Sequence, residues 1–383
     1  MGNKHENIRY AEIPFTPADA GYDPSRLQVL DNFLYAFLEK NKLQCAGYLL
    51  RRNDKIFAHA AMGRLDYRED KPGPFQLDSI RGIASITKIF TATAIGKLIE
   101  DGLLTLADPV ALHLEEFDTS LHKKITILQL LTHTSGLMPD NGCFDTPYTY
   151  EWWAAIKSFD NNWIKAFLSG HLFAPPGTQW AYCSMGFSIL GEIIHRVTGI
   201  KPEDYIMENI IRPLGLEDTY FDVPQEKWNR ICCSNEWNIP ENKEKRKQEE
   251  EVYIPAMGGG LSSTLKDMSI FGQMLLNKGT YQGVRIIGRK SVEYMTMNQI
   301  FGVRSRCWGA DEDKYWGAGF EVVEKLPFHS TSVSTFSHEG YGASLLIMDP
   351  VEQLTAVLIM PFVEDWFHEL IWNTRNIIWS GLI

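Results

Sequence analysis

The sequence predicts an α+β fold in which an antiparallel sheet flanked by helices lies beside a mostly helical part. Strand-like runs occur near both ends of the chain, helical periodicity dominates residues 85–215, and helical runs also flank the strands at both ends. We therefore expect a discontinuous α/β domain from residues 1–75 and 265–383. Residues 76–264 are predicted to form the mostly helical domain.

The first elements are a helix and a hairpin. Apolar residues recur at helical spacing over residues 25–40, directly after Pro24. Two strand-like runs follow at residues 45–50 and 55–61. The polar residues 51–54 between them suit a tight turn, so the sheet is predicted to start with this hairpin.

The middle of the chain is predicted to be helical, with breaks where proline or glycine recurs at 108–109, 139–140, 175–177 and 213–215. Regular periodicity fades between residues 221 and 255. The mixed charge run at 241–251 is interpreted as a solvated surface loop or helix. A further helix is predicted over 264–278, with Thr264 as its cap.

The last third changes to short strand-like runs at residues 332–337, 344–349 and 354–360. Helical periodicity then returns over residues 366–379. The ends of the chain are therefore predicted to be α/β and the middle α, and the sequence contains no internal repeat.

Charge and hydropathy restrict the function classes. The chain has 383 residues and a formal net charge of −11, which disfavours broad contact with nucleic acid or an anionic membrane. It lacks an N-terminal apolar signal and any run of about 18 apolar residues that would suggest a membrane helix. We expect a cytoplasmic protein that acts on a small molecule, with its oligomeric state left open.

The six cysteines show no CxxC pair and no other zinc-like spacing. Free thiols in a reducing compartment are therefore predicted. The adjacent Cys232 and Cys233 are interpreted as two buried or loop thiols, the alternative being a redox-active pair. We assign no metal and no cofactor, since the chain also contains no His-Glu-x-x-His sequence.

Ser85 and Lys88 form one of three Ser-x-x-Lys segments. On a helix, residues three apart lie on the same face, so the amine can reach the hydroxyl and take its proton. The spacing recurs at Ser120 in a polar connector and at Ser263 in a helix-capping segment. Ser85 instead begins a long apolar helix, whose positive end can hold an oxyanion. We therefore take Ser85 as the candidate nucleophile.

Two further segments are candidates for the same site. Tyr182 heads a Tyr-x-Ser segment that opens a predicted helix, and a phenol near the lysine could relay its proton. Residues 338–342, His-Glu-Gly-Tyr-Gly, could let an edge strand approach a bound carbonyl. Taken alone, the first is also typical of a structural tyrosine and the second of a glycine-rich turn.

The order Ser-x-x-Lys, Tyr-x-Ser and His-x-Gly resembles the serine β-lactamase and penicillin-binding-protein superfamily, especially its class C branch and the family VIII carboxylesterases. The resemblance implies a β-lactamase-like fold with the active site between the two domains. The resemblance extends roughly from residue 25 to residue 360. Similar supporting segments lie at 130–137, 173–178, 258–264 and 316–320.

The resemblance also implies roles. Ser85 would be the acylated nucleophile and Lys88 its base or proton relay. Tyr182 would shuttle protons to the leaving group and activate the deacylating water. The backbone N–H groups of Ser85 and Tyr341 would form the oxyanion hole, and His133 would be structural.

Two departures from the family pattern shape the substrate prediction. Lactam-processing members carry Lys where His338 stands, and a largely neutral His lacks the fixed charge that helps hold a substrate carboxylate. Ser184 stands where Asn is common and offers a hydroxyl instead of an amide. Together with Gly340 these residues are predicted to line the substrate site, and they favour esters or unusual acyl groups.

An aromatic group separates the first two motifs, and family members line their clefts there. Trp152 and Trp153 are predicted to contact substrate, while the alternative is that these rings pack a loop onto the helical domain. The group consists of Phe144, Tyr148, Tyr150, Trp152 and Trp153.

The predicted function is hydrolysis of a carboxylic ester through a Ser85 acyl-enzyme. The alternatives are an acyltransferase or an amide or D-amino-acid peptide hydrolase, a β-lactamase, and a non-catalytic binding protein that kept the fold. The chain has no Gly-x-Ser-x-Gly sequence, which argues against an α/β-hydrolase.

Overall fold

A seven-stranded antiparallel sheet forms the centre of the fold in a computed structural model, which describes residues 7–144, 151–325, 330–363 and 368–383. The strands of the described residues are β1 (Arg9–Tyr10), β2 (Cys45–Arg52), β3 (Lys55–Gly63), β4 (Arg81–Gly82), β5 (Ser262–Ser263), β6 (Thr280–Tyr281), β7 (Val284–Arg285), β8 (Arg304–Ser305), β9 (Glu312–Asp313), β10 (Glu321–Val322), β11 (Phe336–Gly340), β12 (Ser344–Asp349) and β13 (Leu354–Ile359). The order in the main sheet is β1-β3-β2-β13-β12-β11-β10.

The helices of the described residues lie between β1 and β2, between β3 and β10, and after β13. They are α1 (Pro24–Glu39), α2 (Thr87–Glu100), α3 (Ile127–Leu131), α4 (Trp163–Leu168), α5 (Ser184–Thr198), α6 (Pro202–Ile206), α7 (Pro240–Glu249), α8 (Leu265–Leu276), α9 (Arg289–Met295) and α10 (His368–Trp379). This arrangement confirms the predicted α+β class. The domain boundaries at residues 75 and 265 stay a prediction.

The hairpin of β2 and β3 turns at Asn53 and Asp54, which both have positive φ, 50° and 63°. Asn and Asp tolerate this left-handed conformation, and two such residues in succession match the twist of antiparallel strands. The predicted hairpin is therefore confirmed. The charge run after residue 240 is also confirmed as a surface helix, since α7 has no buried residue.

The sheet is buried on both faces because alternate side chains of each strand enter different cores. On β12, Leu345 and Ile347 pack with α1 and α10, while Leu346 and Met348 belong to the core around α2 and α8. Full burial of such a side chain contributes about 1.5–3 kcal/mol. The sheet thereby gives a rigid support for the strand ends that reach the candidate site.

The predicted strand at residues 332–337 was wrong in its position. A turn occupies residues 332–335, with Ser334 at φ 73°, and β11 begins only at Phe336. Strand β10 pairs with β11 only at Phe336 and Ser337. The remaining part of β11, through Gly340, therefore forms an edge that can approach another segment.

The prediction that all cysteines are free thiols was wrong for two of them. Cys143 and Cys307 form a disulfide between residues 164 apart in sequence, a pairing that only the tertiary fold brings about. The other four, among them Cys232 and Cys233, are free and buried, which confirms the interpretation of that adjacent pair.

No helix in the described ranges is both long and apolar enough to cross a membrane.

Candidate active site

Ser85 lies in a 3-10 turn, Ala84–Ile86, that continues directly into α2. Ala84 has φ 45°, a conformation that residues with a Cβ rarely adopt, and this bend places Ser85 at the helix entrance. The first ten residues of α2 are all buried. The prediction that Ser85 begins a long apolar helix is confirmed.

The Lys88 side chain is completely buried and its amine has three oxygen neighbours. Its Nζ lies 3.1 Å from Ser85 Oγ, 3.0 Å from Ser184 Oγ and 2.6 Å from the carbonyl oxygen of Gly258. Gly258 belongs to the glycine-rich segment that sequence analysis treated only as supporting. Its carbonyl is thus a site group that sequence reasoning missed.

Burial makes the Lys88 amine a usable base. Loss of solvation lowers the pKa of Lys88 to about 8, although the nearby Asp140 charge opposes this shift. A lysine in this range is partly neutral near physiological pH and can accept a proton from a hydroxyl.

Tyr182 stands beside both residues. Its ring lies 4.8 Å from Lys88 Nζ and stacks on the His133 ring at 4.3 Å. Burial raises the pKa of the Tyr182 phenol above its ordinary value, and a hydrogen bond with Ser85 acts in the opposite direction. The phenol is therefore neutral, and it can donate or relay a proton next to Ser85.

Asp140 lies next to Ser184, on the same side of the site as Lys88. Sequence reasoning did not identify it. Its Oδ1 accepts from the Ser184 N–H and its Oδ2 from the Ser184 hydroxyl, both at 2.6 Å. The sequence showed only a Pro-Asp break 44 residues before Ser184, and no local pattern links the two. We call Lys88, Ser184, Asp140 and Gly258 the lysine side of the site.

The edge of β11 packs against the turn that carries Ser85. A Cβ placed on Gly340 would lie 2.2 Å from the carbonyl oxygen of Ile83, so only glycine permits this approach. Tyr341 follows directly, with a side chain 81% exposed. The edge of β11 thus lies beside the turn of Ser85, while its approach to a bound carbonyl and the oxyanion role of the Ser85 and Tyr341 N–H groups stay predictions.

His338 is 3% exposed and its Nδ1 lies 2.7 Å from the carbonyl oxygen of Glu339. A carbonyl only accepts, so Nδ1 carries the hydrogen and Nε2 bears a lone pair. Burial and then the charge of Lys88 lower the pKa of His338 to about 3. This shift supports the prediction of a neutral His338.

Four buried rings, packed against Tyr182 or against one another, have nitrogens without a hydrogen-bond partner among the described residues. Trp316 is within 5.7 Å of the rings of His133, His338 and Trp180. The unpaired atoms are His133 Nε2, His338 Nε2, Trp180 Nε1 and Trp316 Nε1. We call these four residues the imidazole side of the site.

The predicted aromatic lining is only partly testable, because Tyr148 and Tyr150 lie outside the described residues. Trp152 packs edge-on against Phe167 of α4, at 5.6 Å, and Trp153 contacts Trp152. These contacts support the alternative that both tryptophans pack a loop onto the helical part. An exposed ring beside Tyr182 is that of Trp308, whose centroid lies 5.6 Å away and which is 60% exposed.

The other two Ser-x-x-Lys segments are structural. Lys123 and Lys266 are exposed, so solvent screens their amines. Ser263 is buried and pairs with Thr219 Oγ1 at 2.8 Å. Burial of the lysine therefore distinguishes Ser85 from the other two serines.

Comparison with known proteins gives a family match. A family model described as Beta-lactamase matches residues 30–362. A relative from Escherichia coli strain K12, a putative D-alanyl-D-alanine carboxypeptidase, is 24% identical over 386 residues. That match covers 90% of this chain and 84% of the relative.

Solved structures agree on the fold. A penicillin-binding protein homologue from Caulobacter crescentus has a TM-score of 0.74 at 19% identity, covering 97% of this chain and 100% of that one. A family VIII carboxylesterase has the same TM-score at 20% identity and the same coverages. These likenesses confirm the fold that the three motifs predicted.

Proposed function

This chain belongs to the Beta-lactamase family of serine hydrolases, and we propose that it hydrolyses carboxylic esters through an acyl-enzyme on Ser85. The observation that carries the proposal is the contact at 3.1 Å between the buried Lys88 amine and the Ser85 hydroxyl. A neutral amine at that distance is within reach of the proton that it must remove.

Acylation begins when Ser85 gives its hydroxyl proton to Lys88 and its oxygen bonds to the ester carbonyl carbon. The carbonyl electron pair moves onto oxygen, and the N–H groups of Ser85 and Tyr341 stabilise that oxyanion. When the carbonyl re-forms, the bond to the alcohol oxygen breaks. Tyr182 gives that oxygen a proton and recovers one from Lys88, so the alcohol leaves neutral.

Deacylation reverses these transfers with water in place of the alcohol. Water passes a proton through Tyr182 to Lys88 while its oxygen bonds to the acyl carbon. Collapse of the intermediate breaks the bond to Ser85, whose oxygen takes the proton back from Lys88. One ester and one water thus give one acid and one alcohol.

Charge at the site supports an uncharged ester over a substrate with a carboxylate. His338 is neutral, and two other cations on this side of the site, Lys314 and Arg375, are paired with carboxylates. Lys314 Nζ lies 3.1 Å from Glu321, and the Arg375 guanidinium lies 2.7 Å from Glu339. The exposed Trp308 ring beside Tyr182 supports a partly apolar acyl or alcohol group.

The test is release of p-nitrophenol from p-nitrophenyl butyrate by the wild type and by Ser85→Ala. We expect the variant to lose at least about 10³-fold in kcat/KM, because the Ser184 hydroxyl, which also lies beside Lys88, gives its hydrogen to Asp140. Ser120→Ala removes the serine of a matching Ser-x-x-Lys segment and should leave the rate unchanged. Wild-type activity in Ser85→Ala would refute the proposal.

Two further measurements separate the alternatives. A fluorophosphonate probe should add one label at Ser85, found by peptide mass spectrometry, and the absence of any label would support a non-catalytic protein. Turnover of nitrocefin at a rate comparable to the ester would instead favour a β-lactamase.

A further inference from the structure

The Ser184 hydroxyl lies between the Asp140 carboxylate and the amine of Lys88, the candidate base. Its own N–H donates to the carbonyl oxygen of Tyr182 at 2.8 Å, which fixes the loop beside the site. Its carboxylate then holds both the N–H and the hydroxyl of Ser184. The described contacts of Asp140 to the base therefore run through the side chain of Ser184.

The donors and acceptors around Lys88 determine where its lone pair points. A neutral amine has two N–H groups and one lone pair. The Gly258 carbonyl, at 2.6 Å, only accepts. Ser184 gives its one hydroxyl hydrogen to Asp140, so toward Lys88 its oxygen also only accepts. Both N–H groups are thus used, and the lone pair is left for the Ser85 hydroxyl.

We propose that Asp140 is a positioning residue which, by holding the hydroxyl hydrogen of Ser184, reserves the Lys88 lone pair for Ser85. The inference rests on the proposed function, in which Lys88 is the base. Without the carboxylate, the Ser184 hydroxyl can turn and donate to Lys88, where it competes with Ser85. Ser184 itself has no hydrogen left for a substrate, so this role replaces its predicted role in substrate binding.

The charge of Asp140 has a second, separable effect. It raises the pKa of Lys88 against the larger lowering by burial. The other titratable groups facing Lys88 are Tyr182 and Cys183 before α5, His133 after α3 and His338 on β11. Loss of the Asp140 charge should therefore shift the Lys88 titration to lower pH, in addition to any change in orientation.

A purely structural role for Asp140 predicts something different. Its carboxylate lies at the N-terminus of α5, where the Cys183 side chain makes no capping bond. A negative charge there stabilises a helix. If capping were its only role beside this charge effect, replacing Asp140 would lower the melting temperature and leave the plateau of kcat/KM of the folded enzyme unchanged.

The experiment is Asp140→Asn, assayed with p-nitrophenyl butyrate across pH. Asparagine can accept from the Ser184 N–H, but its amide then donates to the Ser184 oxygen and releases the hydroxyl hydrogen. We expect kcat/KM on the high-pH plateau to fall about 10- to 100-fold, with the acidic limb moved to lower pH. The rate of fluorophosphonate labelling should fall in parallel.

Ser184→Ala gives the matched background, because it removes the competing hydroxyl. We expect it to cost less than about 10-fold, and Asp140→Asn added to it should change the plateau by less than about 3-fold. An undiminished effect of Asp140→Asn in that background would overturn the proposal. If Asp140→Asn does not fold, Ser184→Ala alone decides: a loss equal to that of Lys88→Ala would show that Ser184 carries protons itself.

Asp23→Asn is the control for helix capping, since Asp23 accepts from the Ser25 N–H at the start of α1. Asp23→Asn should leave the high-pH plateau and the acidic limb of kcat/KM unchanged. A wild-type protein that takes no label would be a failure of the proposed function. Labelling of the wild type and of Asp140→Asn at equal rates, with none in Ser85→Ala, would defeat only the role of Asp140.

Discussion

The two sides of the site differ in how their polar atoms are satisfied. On the lysine side, oxygens of Ser85, Ser184 and Gly258 surround the Lys88 amine, and the Ser184 hydroxyl is held by a carboxylate. On the imidazole side, four buried ring nitrogens have no partner in the described part of the chain.

Under the proposed function, this difference corresponds to two tasks, proton transfer and substrate binding. A closed network fixes the direction of each proton, which a base must have before substrate arrives. Buried polar groups without partners are costly, and they gain most when a bound molecule pairs with them. Changes on the lysine side should therefore lower kcat, and changes on the imidazole side should mainly raise KM.

Lys88→Ala should give the largest effect of these changes. It removes the base from the closed network, and we expect kcat/KM for p-nitrophenyl butyrate to fall by about 10³-fold or more. Lys266→Ala is the control, because Lys266 belongs to another Ser-x-x-Lys segment but is exposed. Equal activity in Lys88→Ala and Lys266→Ala would show that the buried amine of Lys88 is not required for the reaction.

Tyr182→Phe should lower turnover by about 10²-fold for an alkyl ester, because in the proposed mechanism the phenol supplies the proton for the alcohol oxygen. The loss should be smaller for a p-nitrophenyl ester, whose leaving group needs no proton. Steady-state kinetics with both esters measures the contrast. An equal loss with both would place Tyr182 outside leaving-group protonation.

Gly340→Val tests strand β11, which carries His338 and packs at Gly340 against the turn that carries Ser85. Because its Cβ would meet the Ile83 carbonyl oxygen, the β11 edge must move away, and we expect about a 10²-fold loss in kcat/KM. Gly73→Val is the matched control, since the nearest atom to a Cβ there is 4.0 Å away. Unchanged kinetics in Gly340→Val would remove the strand from the site.

His338→Gln should give the smallest effect, a KM raised about 10-fold with kcat within about 3-fold of the wild type. The acidic limb of kcat/KM should stay near pH 8 in both proteins. That limb follows the neutral form of Lys88, whose pKa is about 8, and activity rises as pH increases through it. The pKa of His338, about 3, lies below the measured range. Loss of the acidic limb of kcat/KM in His338→Gln would contradict the assignment of that limb to Lys88.

Local pattern predicted the helices and the hairpin well, because their signals lie within a few residues. The helix predicted over residues 264–278 is α8, and Thr264 accepts from the Asp267 N–H as its cap should. The start of β11 was misplaced because Thr and Val in residues 331–335 have high β propensity, yet they form a turn. At these residues the tertiary structure overrides the β propensity of the side chains.

The α+β class, the order of the three motifs and the histidine at position 338 can be read from the amino-acid sequence, because each depends on neighbouring residues or on residue type. The packed fold was needed to show which Ser-x-x-Lys segment has a buried lysine, that Asp140 holds Ser184, and that Cys143 pairs with Cys307. Burial and pairing across 44 or 164 residues depend on where the packed core brings the chain together. The spacing of residues along the sequence does not specify such long-range contacts. They nevertheless determine the environment of Lys88, the proposed base.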